Sequence, residues 1–135
     1  MVGGTLDCLI LCHGYVKNES ILETNMLEWD QMMNLNVRPS FQLISLATPF
    51  LRLSKGSVTV LSSTAGEAPQ PGSIIYSTSM SMLNMLVKCA SLENSFHGVR
   101  VNAVAAGVTA TNARVKKESL GYTDGQNKTF LVESS

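Results

Sequence analysis

Charge is what this sequence has least of. Lys and Arg number ten, Asp and Glu number ten, and charged residues make up 15% of the 135, against about 25% in ordinary soluble domains. Formal net charge is zero. No basic excess exists to bind nucleic acid, and no acidic run forms an interaction tail. A neutral, sparsely charged surface favours association instead. Cysteine is also scarce: Cys8, Cys12 and Cys89 have no metal-ligand spacing, and an odd count argues against a disulfide scaffold. Cys8 and Cys12 lie in an apolar run, where free cysteine is expected to serve as core. His13 and His97 lack partners at ligand spacing, so they read as structural and no metal site is expected. The opening stretch "MVGGTLDCLILC" has no basic region and is too short to span a bilayer. The expectation is a cytoplasmic or organelle-interior protein with no secretion signal and no membrane insertion. The sequons at Asn18 and Asn127 then carry no expectation of a glycan.

What is present is a strand–helix alternation. Leu6 to Cys12 is a short apolar run between "GGT" and "HG", read as a buried strand. Thr24 or Asn25 caps a helix starting near Leu27, with Glu28 in its first turn. Broad apolar coverage continues to about Leu53. Pro39 should kink this run, and Pro49 should add a second irregularity. Ser57 to Leu61 is a β-branched strand, and "SSTAGEAPQPGS" is a loop. Tyr76 to about Phe96 is a second long helix, and residues 98–105, "GVRVNAVA", are a third strand. The stretch after it begins as a loop, and Lys116 and Lys117 read as a solvated face. Residues 1–120 form the expected domain, and 121–135 a polar, loosely held tail. The strands are apolar on both faces, which suits a parallel sheet covered by helices. Right-handed crossovers then set three strands side by side. The fold class is therefore α/β: a partial doubly wound, Rossmann-like, three-layer fold with three parallel strands and two long helices.

Several motifs carry a more specific reading. In "VTVLSSTAGEAPQPGSIIYSTS" Ser63 precedes Tyr76 by thirteen residues, in a loop ending at a helix start. "WDQMMNLNVRPSF" holds Asn36, and "RVNAVAAGVTAT" leads to Thr111. Over roughly residues 6–112 the chain resembles the short-chain dehydrogenase/reductase family. The resemblance implies a doubly wound sheet, a nicotinamide cofactor and an Asn-Ser-Tyr-Lys catalytic set. Asn36, Ser63 and Tyr76 fall on three of those positions, and Gly14 and Thr111 on cofactor-binding ones.

Four departures accompany the match. Met80 stands where the family has lysine. "LCHG", Leu11 to Gly14, replaces Asn-Asn-Ala-Gly, and Ala106 replaces a proline. The Gly-rich dinucleotide fingerprint is absent, because the sequence starts near the family's fourth strand, so the first βαβ lobe is lacking. Carbonyl reduction needs a hydride donor and a proton donor at the substrate oxygen. A phenol ordinarily ionises near pH ~10, so it is a poor base at neutral pH unless a nearby ammonium favours the phenolate. A lysine one helical turn on supplies that charge. Met80 has neither charge nor donor, and Lys88 lies twelve residues from Tyr76, roughly 18 Å along the axis. On this reading Asn36 has no lysine to hold, and it is free to satisfy a carbonyl near Pro39.

Two functional expectations follow. The first is a catalytically inactive reductase-like component of a larger assembly, with no cofactor of its own. The alternative is an NAD(P)-dependent alcohol or carbonyl oxidoreductase, as a fragment or isoform needing a complementing cofactor lobe. Met80 to Val87 is apolar over more than one helix face, and core packing competes there with a helix–helix interface. A protein partner, or self-association through the two long helices and the exposed edge of the first strand, is expected.

Overall fold

The computed structural model describes residues 4–107, residue 109 and the backbone of 130–132. The chain runs β1 (Cys8–Leu11), α1 (Met26–Asn36), α2 (Arg38–Ser54), β2 (Ser57–Ser63), a 3-10 turn (Thr64–Gly66), α3 (Ile74–Ser95), β3 (Arg100–Ala106) and β4 (Phe130–Val132). The sheet order is β1-β2-β3-β4. The first three strands are parallel, and β4 joins β3 antiparallel. That fourth strand lies within the span read as a tail; "FLV" is an apolar triplet too short to stand out from its polar flanks.

Asn25 is the cap of α1. Its side chain accepts from Leu27 and Glu28 N–H, and the Glu28 carboxylate returns to the Asn25 N–H, a complete capping box. The apolar run read as one kinked helix is two helices broken at Val37, with Pro39 in the first turn of α2. Proline has no N–H to continue the ladder but suits a helix start. Pro49 does not interrupt α2, against expectation. It sits on the exposed side, where water can serve the carbonyl that the proline leaves unbonded.

Burial alternates along the strands: Val58, Val60 and Ser62 in β2, then Val101, Ala103 and Ala105 in β3. Onto this face α2 brings Ile44, Ala47 and Leu51, and α3 brings Met80, Leu83, Val87 and Ala90. The spacing in each helix is that of one helical stripe. Among the described residues α2 and α3 pack on the same face of the sheet. Successive right-handed crossovers running the same way lay their helices on one side. On the other side Ile10 is 64% exposed and Leu61 is also exposed. Cys8, Cys12 and Cys89 are all exposed, contrary to the core assignment of the first two. The physical reason is that β1 is the edge strand, and Cys12 lies just past its end. Among the described residues no helix is long and apolar enough to cross a membrane.

Candidate functional site

Parallel strands end together, so the segments that follow them meet at the carboxyl edge of the sheet. Gly14 follows β1, Ser63 ends β2, and Gly107 follows β3. Tyr76 is the third residue of α3, and Asn36 is the last of α1. The topology therefore gathers Gly14, Asn36, Ser63 and Tyr76 around one end of the fold. Thr111, Lys116 and Lys117 lie outside the described residues.

Asn36 is 0% exposed. Its Oδ1 accepts from the Tyr15 N–H at 2.7 Å, and its Nδ2 donates to the Tyr15 carbonyl at 2.9 Å. The same nitrogen lies 3.0 Å from Ser79 Oγ and 3.1 Å from Met32 Sδ. Ser79 Oγ in turn donates to the Tyr76 carbonyl at 2.8 Å. The Asn36 carbonyl is served by Ser40 Oγ at 3.0 Å, and that hydroxyl also meets His13 Nε2 at 3.2 Å. So the Asn36 side chain bonds neither a lysine nor a carbonyl near Pro39. The break between α1 and α2 aims it across the fold at the β1 loop and α3.

Ser63 Oγ accepts from the Ala65 N–H at 3.2 Å, which starts the 3-10 turn, and its hydroxyl proton meets no acceptor among the described residues. The turn lies hard against α3. A Cβ on Gly66 would stand 2.8 Å from the Met80 carbonyl carbon and 2.9 Å from the Ser81 nitrogen. Ser81 Oγ also donates to the Gly66 carbonyl at 2.5 Å. The Tyr76 ring is half-buried against the core rather than fully enclosed. Its hydroxyl makes no hydrogen bond among the described residues, and none joins it to Ser63. Met80 is 3% exposed and belongs to the hydrophobic core, with its sulfur 4.0 Å from Ser62 Oγ. The side chain at the lysine position thus enters the core. Behind it Ser62 Oγ donates to Asn84 Oδ1 at 2.7 Å, while the buried Asn84 Nδ2 has no partner among the described residues.

A cleft at the start of α3 is bordered by Tyr15, Lys17, Glu28, Met32 and Ile75. Lys17 Nζ bridges the Glu19 and Glu28 carboxylates. Hydrogen bonds to Glu19 and Glu28 hold the Lys17 ammonium well above its usual range, and the bond from Lys17 holds the Glu28 carboxyl below its own. Sequence reading missed this bridge and Ser79 alike. The one available signal for Ser79 was its place one turn after Tyr76.

The fit to a nicotinamide cofactor is partial. Gly14 offers open backbone, since a Cβ there would meet only Asn36 Oδ1, at 3.9 Å. The described residues contain no Gly-rich strand-to-helix turn for a diphosphate, and Met80 cannot bond a ribose. Among the described residues no cluster of His, Cys, Asp or Glu could hold a metal ion.

Comparison with known proteins agrees with this geometry. A family model described as short chain dehydrogenase matches residues 1–120. Mouse (Mus musculus) L-fucose dehydrogenase is 32% identical over 105 residues, which are 77% of this chain and 38% of the mouse protein. The 3-oxoacyl-(acyl-carrier-protein) reductase FabG of Staphylococcus aureus strain Mu50 is 33% identical over 105 residues, 77% of this chain and 43% of that enzyme. The solved structure of ElxO with NADP bound superposes with a TM-score of 0.77 at 26% identity, over 85% of this chain and 47% of ElxO. The chain thus spans less than half the length of each. With the β-α-β order and the family model in agreement, this chain belongs to the short-chain dehydrogenase family.

Proposed function

We propose that this chain forms the substrate-facing part of an NAD(P)-dependent oxidoreductase acting on an alcohol or a carbonyl. Residues beyond these 135 would hold the cofactor's diphosphate. The observation that carries the reading is the packing of the Ser63 turn onto the first turns of α3 through Gly66, which keeps Ser63 and Tyr76 at one edge of the sheet. When bound, the nicotinamide supplies or takes the hydride. Ser63 donates a hydrogen bond to the substrate oxygen and keeps its proton, and Tyr76 Oη gives or receives the one proton transferred at that oxygen. Gly14 would leave room for the nicotinamide end of the cofactor, and Asn36 would hold the loop that carries Gly14 through its two bonds to Tyr15. Relatives named as dehydrogenases or reductases, and ElxO with its NADP, support the reaction class and the cofactor.

The test is hydride transfer by the full-length protein carrying this chain, followed by nicotinamide absorbance with NAD and NADP across a panel of alcohols and carbonyls. Tyr76→Phe is expected to lower turnover by about a hundredfold or more. No transfer anywhere in the panel, or transfer indifferent to Tyr76→Phe, would sink the reading.

A second reading, a contact-making component without turnover, draws on Met80. An uncharged core side chain there leaves a phenolate without the nearby ammonium that would favour it. For either reading we propose self-association through α2 and α3. Their outer faces carry apolar stripes, Leu43, Leu46, Phe50 and Leu53 on one helix and Met82, Met85, Leu92 and Phe96 on the other, all exposed. Both follow alternating three- and four-residue steps, with Cys89 completing the second.

A further inference from the structure

The buried link from Asn36 to α3 ends on Ser79, and Ser79 faces two ways. Its oxygen takes the Asn36 Nδ2 proton at 3.0 Å, and its own proton goes to the Tyr76 carbonyl at 2.8 Å. Ser79 is 0% exposed, as is Asn36, so neither bond competes with water. At its other end Asn36 grips the N–H and the carbonyl of Tyr15, the residue after Gly14. One side chain therefore ties the loop after β1 to the helical turn that carries Tyr76. Thr78, in the same turn, also back-bonds into its helix, to the Ile74 carbonyl at 2.8 Å, but among the described residues its hydroxyl bonds nothing outside α3.

We propose that Ser79 is a positioning residue for Tyr76: Asn36 acts through Ser79, in place of a lysine, to fix the first turn of α3 against the Gly14–Tyr15 loop. This rests on the oxidoreductase reading. The site needs such a device because Met80 lies in the core and gives the active edge no charged anchor. A hydroxyl bonded on both sides holds the turn in register, so the phenol of Tyr76 stays in one place relative to Ser63.

The experiment uses the full-length protein in wild-type, Tyr76→Phe, Ser79→Ala, Ser79→Cys and Thr78→Ala forms. Cysteine keeps the size of serine but bonds weakly, so it separates loss of the bonds from loss of packing if alanine impairs folding. Two readouts are taken: steady-state kinetics, and amide hydrogen exchange across residues 74–80. Ser79→Ala and Ser79→Cys are expected to lower kcat by about tenfold or more, with KM changed by less than about twofold. Exchange should rise in the first turn of α3, and Thr78→Ala should leave both readouts unchanged. Turnover that depends on Tyr76 but not on Ser79, or exchange that does not respond to Ser79→Cys, overturns the positioning role alone. Absence of any Tyr76-dependent turnover overturns the oxidoreductase reading, and the positioning role with it.

Discussion

Asn36 and Ser79 lie 43 residues apart, and their side chains meet at 3.0 Å inside the protein. The contact joins the end of α1 to the start of α3. With the two bonds to Tyr15, it makes Asn36 a three-way junction between elements that share no sequence neighbourhood.

Breaking that junction should be costly. Asn36→Ala strands the Tyr15 N–H and carbonyl in a poorly hydrated place, and a buried unpaired group costs about 1–3 kcal/mol. The expected loss is about 2–3 kcal/mol in total. It is read as a lower urea midpoint with an unchanged slope. A midpoint equal to wild type would show that the junction adds nothing.

Restoring the family residue with Met80→Lys should destabilise the fold rather than repair it. The site is 3% exposed and lined by apolar neighbours. Burial disfavours the ammonium, so its folded pKa falls below the unfolded value of about 10.4. Between those two values the unfolded chain binds more protons, so stability rises with pH. The deficit should be largest at neutral pH and below, and should shrink as pH climbs toward about 10. Urea titrations at several pH values check the sign. A deficit independent of pH would mean that the side chain reaches water.

Gly66 marks the closest approach of the Ser63 turn to α3. The Cβ of Gly66→Ala would meet backbone atoms of Met80 and Ser81 at 2.8 and 2.9 Å, and backbone cannot rotate aside. A loss of about 1–3 kcal/mol is expected from this overpacking. The Ser63 turn should move away from α3, so turnover should fall further than stability alone explains. Thermal melts and kinetics on the same samples separate the two effects.

Glu28 serves both the capping box and Lys17. Its folded pKa is depressed by Lys17, so its contribution is present above the ordinary carboxylate pKa and fades as pH falls through the folded one. Lys17 is shifted upward, so its contribution is full at neutral pH and disappears only in strong alkali. Glu28→Gln keeps an acceptor for the Asn25 N–H but removes the charge. The expected result is a flatter acid limb in a pH–stability profile, with the gap to wild type narrowing in high salt. Identical acid limbs in the two proteins would count against the bridge.

Met85→Glu and Leu46→Glu place charges on the two outer stripes without entering the core. If those stripes join copies of the chain, size-exclusion chromatography should show a smaller species for either variant, while the melting temperature of the monomer changes little. An unchanged elution volume for both would exclude these faces as the interface.

The local grammar of the sequence is sufficient for much of this. Short β-branched runs mark β2 and β3, an Asn with Glu three residues on caps α1, and thirteen residues place Ser63 before Tyr76. Each of these depends on neighbours close along the chain, and periodicity reports such neighbours directly. The two long helices are less legible: Met80, Leu83 and Val87 turn inward while Met82 and Met85 turn outward, although the sequence makes them one continuous apolar stretch.

What the sequence determined by itself is the order of β1, β2 and β3 with helical stretches between them, the family and the spacing of the candidate pair. Tertiary structure alone decided that Cys8 and Cys12 face solvent, that Met80 fills the core, and that Asn36 reaches Ser79. The reason is physical. An element forms from interactions a few residues apart, but which side of it is covered depends on how distant segments pack, and no local spacing records that packing.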